Sequence, residues 1–142
     1  MLKEKLSKAI NRWQEENIKL SPPETEQEII DCFLAIESLI SKDILEFYSA
    51  FGGMVDDVMD NSLLSIWTLE KIKQENSTVS ELTYFADFLI ETYRYAFKYE
   101  NENTSSIYCD CETSEFLKIA DSVEQFFDLY LTNPNEIGLF RE

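Results

Sequence analysis

From Tyr93 to Tyr99 every second position is aromatic: Tyr93, Tyr95, Phe97 and Tyr99 alternate with Arg94, Ala96 and Lys98. Successive side chains of an extended chain point to opposite faces, so this pattern specifies a strand with one aromatic and one cationic side. The segment Leu89–Tyr99 is predicted as that strand, with a polar turn at 100–104 and a returning strand at Ser106–Cys111. Leu63–Trp67, Leu82–Asp87 and Glu115–Ile119 read as further short strands. Consecutive strands joined by short connections favour an antiparallel sheet.

Outside this region the period changes to that of a helix. Leu2, Leu6, Ala9, Ile10 and Trp13 predict an amphipathic helix over 2–17, ended by Ser21-Pro22-Pro23. Thr25 and Glu28 form the T-x-x-E capping box of a second helix carrying Ile29, Ile30, Phe33 and Leu34. Ser41 opens a third, with Ile44, Leu45, Tyr48 and Phe51, and Gly52 is placed at a left-handed C-terminal cap. Thr68 caps a brief helix reaching Glu75. Asp121-Ser122 caps a last one, with Val123, Phe126, Phe127, Tyr130 and Leu131 as its apolar stripe and Asn133-Pro134 as its stop. The fold class is α+β: one domain over residues 1–142, with helices packed on an antiparallel β-sheet.

Charge limits the partners. Twelve Lys and Arg face 28 Asp and Glu, a formal net charge of −16. The first helix is mildly basic, through Lys3, Lys5, Lys8 and Arg12. Residues 20–70, in contrast, hold eleven acids and one base, Lys42, and residues 99–117 hold five acids and no base. Such a surface repels nucleic-acid phosphates and anionic lipid and attracts basic proteins. Direct nucleic-acid binding and membrane association are therefore not expected. No apolar run reaches the ~18 residues of a membrane span. Met1-Leu2-Lys3-Glu4-Lys5 runs straight into a charged periodic segment, without a secretion signal, so the expected location is the cytoplasm.

There is no histidine, which removes Ser-His-Asp and Cys-His nucleophile activation and His-containing zinc sites. Cys32, Cys109 and Cys111 are read as buried small hydrophobes: the C-x-C pair has no second pair with which to hold a metal, and acidic surroundings disfavour the thiolate. Asp56-Asp57-Val58-Met59-Asp60 lacks the register of a calcium loop and reads as a solvated acidic loop open to a basic partner. No cofactor and no metal are expected. The aromatic stripe of 93–99 is read as core rather than as a nucleic-acid stacking platform, which needs a positive groove. Trp13 and Trp67 are likewise read as core.

Five motifs follow one another in the chain: Thr25-Glu26-Gln27-Glu28-Ile29, then Ile44-Leu45-Glu46-Phe47-Tyr48-Ser49-Ala50-Phe51-Gly52-Gly53. Next come Ser65-Ile66-Trp67-Thr68-Leu69 and Tyr84-Phe85-Ala86-Asp87-Phe88-Leu89-Ile90, and last Ile119-Ala120-Asp121-Ser122-Val123-Glu124-Gln125-Phe126-Phe127. Their order resembles the SUKH superfamily, which includes Smi/Knr-type regulators of fungal cell-wall glucan synthesis and many bacterial proteins. The resemblance spans about residues 24–132, and Phe51 stands where the family carries a polar residue. The resemblance implies an α+β domain without catalytic residues, and many bacterial members are immunity proteins that neutralise a polymorphic toxin, often a nuclease.

A nuclease toxin presents a basic surface that an acidic protein can cover. The leading expectation is thus a non-catalytic immunity-type binder of a basic toxin domain. Its steering residues are Asp56, Asp57, Asp60, Glu100, Glu102, Asp110 and Glu112, and Gly52, Gly53, Trp67 and Asp87 are scaffold positions. Two other readings stay open: a scaffold in cell-wall synthesis, and a carboxylate-dependent enzyme acting on a cationic substrate.

Overall fold

The computed structural model describes residues 1–76, 80–88, 93–110 and 116–132. The chain runs α1 (Leu2–Glu15), α2 (Glu26–Ala35), α3 (Lys42–Ala50), a 3-10 turn (Val55–Asp57), β1 (Leu64–Ile66) and α4 (Leu69–Glu75). It continues through β2 (Leu82–Phe88), β3 (Tyr93–Tyr99), β4 (Ser105–Asp110), β5 (Phe116–Ala120) and α5 (Val123–Thr132). Among the described residues the strands form one antiparallel sheet in the order β1-β2-β3-β4-β5. This is the expected α+β fold. The start of the strand predicted at Leu89, the Cys111 end of the next strand and the Asn133-Pro134 stop lie outside the described residues.

Helix starts follow local capping chemistry. Thr25 Oγ1 accepts the Glu28 N–H at 3.1 Å, and Glu28 Oε1 accepts the Thr25 N–H at 3.2 Å, completing the capping box. Thr68 Oγ1 accepts from the Lys71 N–H, and Ser122 Oγ from the Gln125 N–H. Helices α1 and α2 both end in Schellman turns. Asn17 (φ 61°) and Glu37 (φ 55°) take the left-handed position, and the N–H groups of Ile18 and Ser38 reach back to the carbonyls of Trp13 and Phe33.

The end of α3 differs from expectation. The helix stops at Ala50, and Phe51 is extended (φ −164°, ψ 158°), which turns its ring inward to 5.0 Å from Trp13. Gly52 is not a left-handed cap; it is needed for close approach. A Cβ there would lie 2.4 Å from the Pro22 carbonyl oxygen. Gly53 carries the positive φ, at 99°, and its Cβ would meet the Trp67 carbonyl at 2.5 Å. The pair is thus clamped between the Pro22 loop and the end of β1. The Ser21 N–H bonds Gly53 O at 2.8 Å, and the Met54 N–H bonds Ile66 O at 2.7 Å.

Strand register decides what each face of the sheet carries. Thr83 pairs with Phe97, Phe97 with Ile107, and Tyr95 with Cys109, so these positions share the face on which α3 and α5 pack. Phe47 of α3 lies at the centre of that layer, its ring 5.3–6.1 Å from those of Phe85, Phe97 and Phe127. Phe85 and Phe97 stack at 3.9 Å. Tyr95 and Phe97 are buried, as the alternation predicted, with Tyr93 and Tyr99 half-buried at the ends of the strand.

A bulge at Phe85 shifts the β2–β3 register by one residue, which turns Asp87 to the opposite face, across from Arg94. The edge of β2 beyond the three-residue β1 is covered by side-chain mimicry. Asn76 Oδ1 accepts the Tyr84 N–H at 2.8 Å, and Asn76 Nδ2 donates to Tyr84 O at 2.9 Å.

Candidate functional site

The carboxylates divide into those that hold the fold together and those that face solvent. Asp60 belongs to the first kind, which corrects its assignment to a solvated steering loop: it is 3% exposed. Its Oδ2 accepts the Trp13 indole N–H at 2.8 Å and the Tyr130 hydroxyl, and its Oδ1 accepts the N–H groups of Ser62 and Leu64 at 2.8 and 3.0 Å. Four donors satisfy both oxygens, so the charge is buried without being orphaned. Burial, with the adjoining Asp60 charge, pushes the Tyr130 phenol well above its ordinary value.

Asp87 forms a second indole–carboxylate pair on the other face of the sheet. The Trp67 Nε1–H donates to it at 2.5 Å, and the Lys71 ammonium lies 3.9 Å away. Lys71 Nζ and Arg94 Cζ stand 4.9 and 5.6 Å from a Trp67 ring centroid, and Arg94 also bonds Glu75 at 3.1 Å. Beside them the Tyr84 hydroxyl donates to Asp110 at 3.1 Å. Asp110 is therefore a half-buried member of this cross-strand cluster, not a freely projecting steering charge. Burial first, then Asp110, raises the Tyr84 phenol.

Asp43 ties three elements together. It accepts the Ser105 N–H at 3.2 Å, the Val123 N–H at 3.3 Å and the Ser41 hydroxyl. It thereby caps α5 from α3 and holds the start of β4.

The remaining predicted steering residues are not brought into one patch. Asp56 is exposed at the left-handed point (φ 61°) of the 3-10 turn that also contains Asp57. Glu100 and Glu102 are exposed in the β3–β4 turn, where Glu100 accepts the Ser106 hydroxyl at 2.6 Å and the Glu102 carbonyl accepts the Lys42 N–H at 2.8 Å. The turn thus sits at the N-terminal end of α3, and the Asp56 turn follows its C-terminal end. A nine-residue helix separates its ends by about 13 Å. Glu112 lies outside the described residues.

The more continuous acidic surface is on α2 and its flanks. Residues 20–41 carry Glu24, Glu26, Glu28, Asp31 and Glu37 and no base. Glu26, Glu28, Asp31 and Glu37 are exposed, and Glu24 is half-buried with its carboxyl raised by burial and by Glu28. Two exposed leucines lie among them, Leu34 at 65% and Leu39 at 67% exposure. The signal was present in the sequence as the base-poor run of 20–70.

Cys32 and Cys109 are buried, and burial pushes the Cys32 thiol up to about 11. Cys111 lies outside the described residues. Among the described residues no group of three or more His, Cys, Asp and Glu side chains could hold a metal ion, and no helix is long and apolar enough to cross a membrane. Comparison with protein-family models, with curated proteins and with solved structures gives no match to this chain.

Proposed function

We propose that this chain is a non-catalytic binding domain for a basic protein, of the SUKH immunity type, whose partner is a cationic toxin domain such as a nuclease. The observation that carries this reading is the run of residues 20–41, which holds five acids and no base and exposes Leu34 and Leu39. Unopposed carboxylates set up a field that a basic surface enters downhill, accelerating encounter by roughly 10- to 1000-fold at low salt. The leucines offer apolar area to bury once contact is made. Asp43, Asp60 and Asp87 are already engaged by fold-building hydrogen bonds, so the acids free to serve a partner are the exposed ones. The SUKH assignment rests on motif order and on an α+β fold with the expected succession of helices and strands. Nucleic acid is disfavoured as a partner by the same field.

The test is capture on the immobilised chain followed by elution along a salt gradient. The expected partner is basic, elutes as salt screens the contact, arrests growth when expressed alone and is tolerated when co-expressed with this chain. Glu26→Gln, Asp31→Asn and Glu37→Gln together should slow its association and flatten the salt dependence more than Asp56→Asn with Asp57→Asn does. Retention of a wall-synthesis complex instead, with no rescue from any toxin, would overturn the immunity reading.

A further inference from the structure

A groove of about 410 Å³ opens between the α2–α3 loop, the start of β2 and the end of β3. Its floor is Thr83 and Phe97, its sides are Leu39 and Tyr99, and its rim carries Glu37 and Glu81. Among the described residues no Lys or Arg lines it. Thr83 and Phe97 are a cross-strand pair on the helix-facing side of the sheet, so the groove is where that apolar face comes to the surface. The loop above it is held in place, because the Ser38 and Thr83 hydroxyls bond at 2.6 Å. The Schellman turn that ends α2 sets Glu37 on the rim.

We propose that this groove is the anchoring site for the partner: it takes one apolar side chain from a basic segment, with Glu37 and Glu81 meeting the flanking cations. This rests on the binding reading above and gives it a location. The occupant follows from complementarity. An apolar floor that is already formed rewards an apolar side chain, and a rim with two acids and no base selects a chain whose neighbouring residues are cationic. Leu39, on the side of the groove, is two-thirds exposed, so its apolar surface reaches past the groove itself. That favours a protein segment over a small cation, which could not cover it.

The experiment titrates the isotopically labelled full chain with three peptides, followed through backbone amide signals. They are acetyl-Lys-Lys-Phe-Lys-Lys-amide, its counterpart with Ser for Phe, and acetyl-Glu-Glu-Phe-Glu-Glu-amide. The lysine–phenylalanine peptide should move the signals of Leu39, Thr83 and Tyr99 and saturate at roughly one-tenth the concentration the serine peptide needs. Glu37→Gln with Glu81→Gln should weaken that binding, and Leu39→Ser, at an exposed position, should narrow the gap between the two lysine peptides. If the lysine peptides bind alike, or phenylalanine-dependent binding leaves the groove signals unmoved, the groove proposal falls while the acidic-surface reading stands. If neither lysine peptide binds better than the glutamate peptide, both fall together.

Discussion

The Trp13 indole N–H donates to the Asp60 carboxylate at 2.8 Å, joining α1 to the loop before β1 across 47 positions of sequence. The same oxygen takes the Tyr130 hydroxyl from α5, so one buried carboxylate fastens α1 and α5 to the core. Removing it takes the acceptor from the Tyr130 phenol and from two backbone N–H groups, and leaves the Trp13 N–H only the Tyr130 oxygen at 2.8 Å. Asp60→Ala should therefore cost about 3–5 kcal/mol. Asp60→Asn, which replaces one acceptor oxygen with a donor, should fall between wild type and Ala. Urea unfolding measures both. An Ala variant within 1 kcal/mol of wild type would return Asp60 to the exposed loop expected from sequence.

Glu37 sits at φ 55°, the left-handed position of a Schellman turn that glycine occupies without strain. A side chain there costs about 1–2 kcal/mol, partly offset by its lower entropy in the unfolded chain. Glu37→Gly should stabilise the fold by about 0.5–1 kcal/mol, read as a higher urea midpoint with unchanged slope. The same variant should bind the lysine–phenylalanine peptide less well. A more stable protein that binds worse is the signature of a residue kept for its outward charge.

What was legible in the sequence was whatever a few neighbouring residues decide. Thr25 with Glu28, and Thr68 before Leu69, cap helices through contacts only three residues long, and both were placed correctly. The alternation of 93–99 likewise named the buried side of β3. Asp60 was illegible because the groups that bury it lie 47 and 70 positions away, and a lone aspartate in an acidic run looks the same whether solvated or enclosed. Gly52 was misread for a similar reason. A glycine after a helix suggests a left-handed cap, but the demand at this position comes from Pro22, thirty residues earlier. The groove also joins residues 37–39 to 80–83 and 97–99, a juxtaposition set by sheet register and not by any local pattern.

Gly53 combines a φ of 99° with a hypothetical Cβ 2.5 Å from the Trp67 carbonyl oxygen, whereas Gly52 has only the steric demand. Both obstacles are backbone atoms, which cannot rotate aside. Gly53→Ala should cost more than about 2 kcal/mol, because strain and collision add. Its effect should reach β1, since Trp67 is displaced, and should appear as altered Trp67 fluorescence in a Trp13→Phe background. Gly52→Ala should move the Pro22 loop instead and leave that fluorescence unchanged. Equal perturbation of Trp67 by both variants would refute this division of roles.

Cys32 gives the fold an alkaline limit. Burial is the main cause that lifts its thiol from the ordinary 9.0 to about 11, with Lys73 opposing and Glu24 adding to the rise. Between those values the unfolded chain has released the proton and the folded chain still holds it, so stability falls as pH rises through the window from 9 to 11. The full gap is worth about 2–3 kcal/mol. The phenols of Tyr48 and Tyr130, also raised by burial, steepen the decline above pH 10. Cys32→Ala should lower stability at pH 8 through the lost side-chain volume, yet show a flatter decline between pH 9 and 10, with the tyrosine-driven fall above pH 10 intact. Urea midpoints at pH 8, 9, 10 and 10.5 separate these contributions. Parallel curves for wild type and Cys32→Ala would mean that the thiol ionises in the folded chain as readily as in the unfolded one, and that the contact of Sγ with the Leu69 carbonyl at 3.5 Å does not keep it protonated.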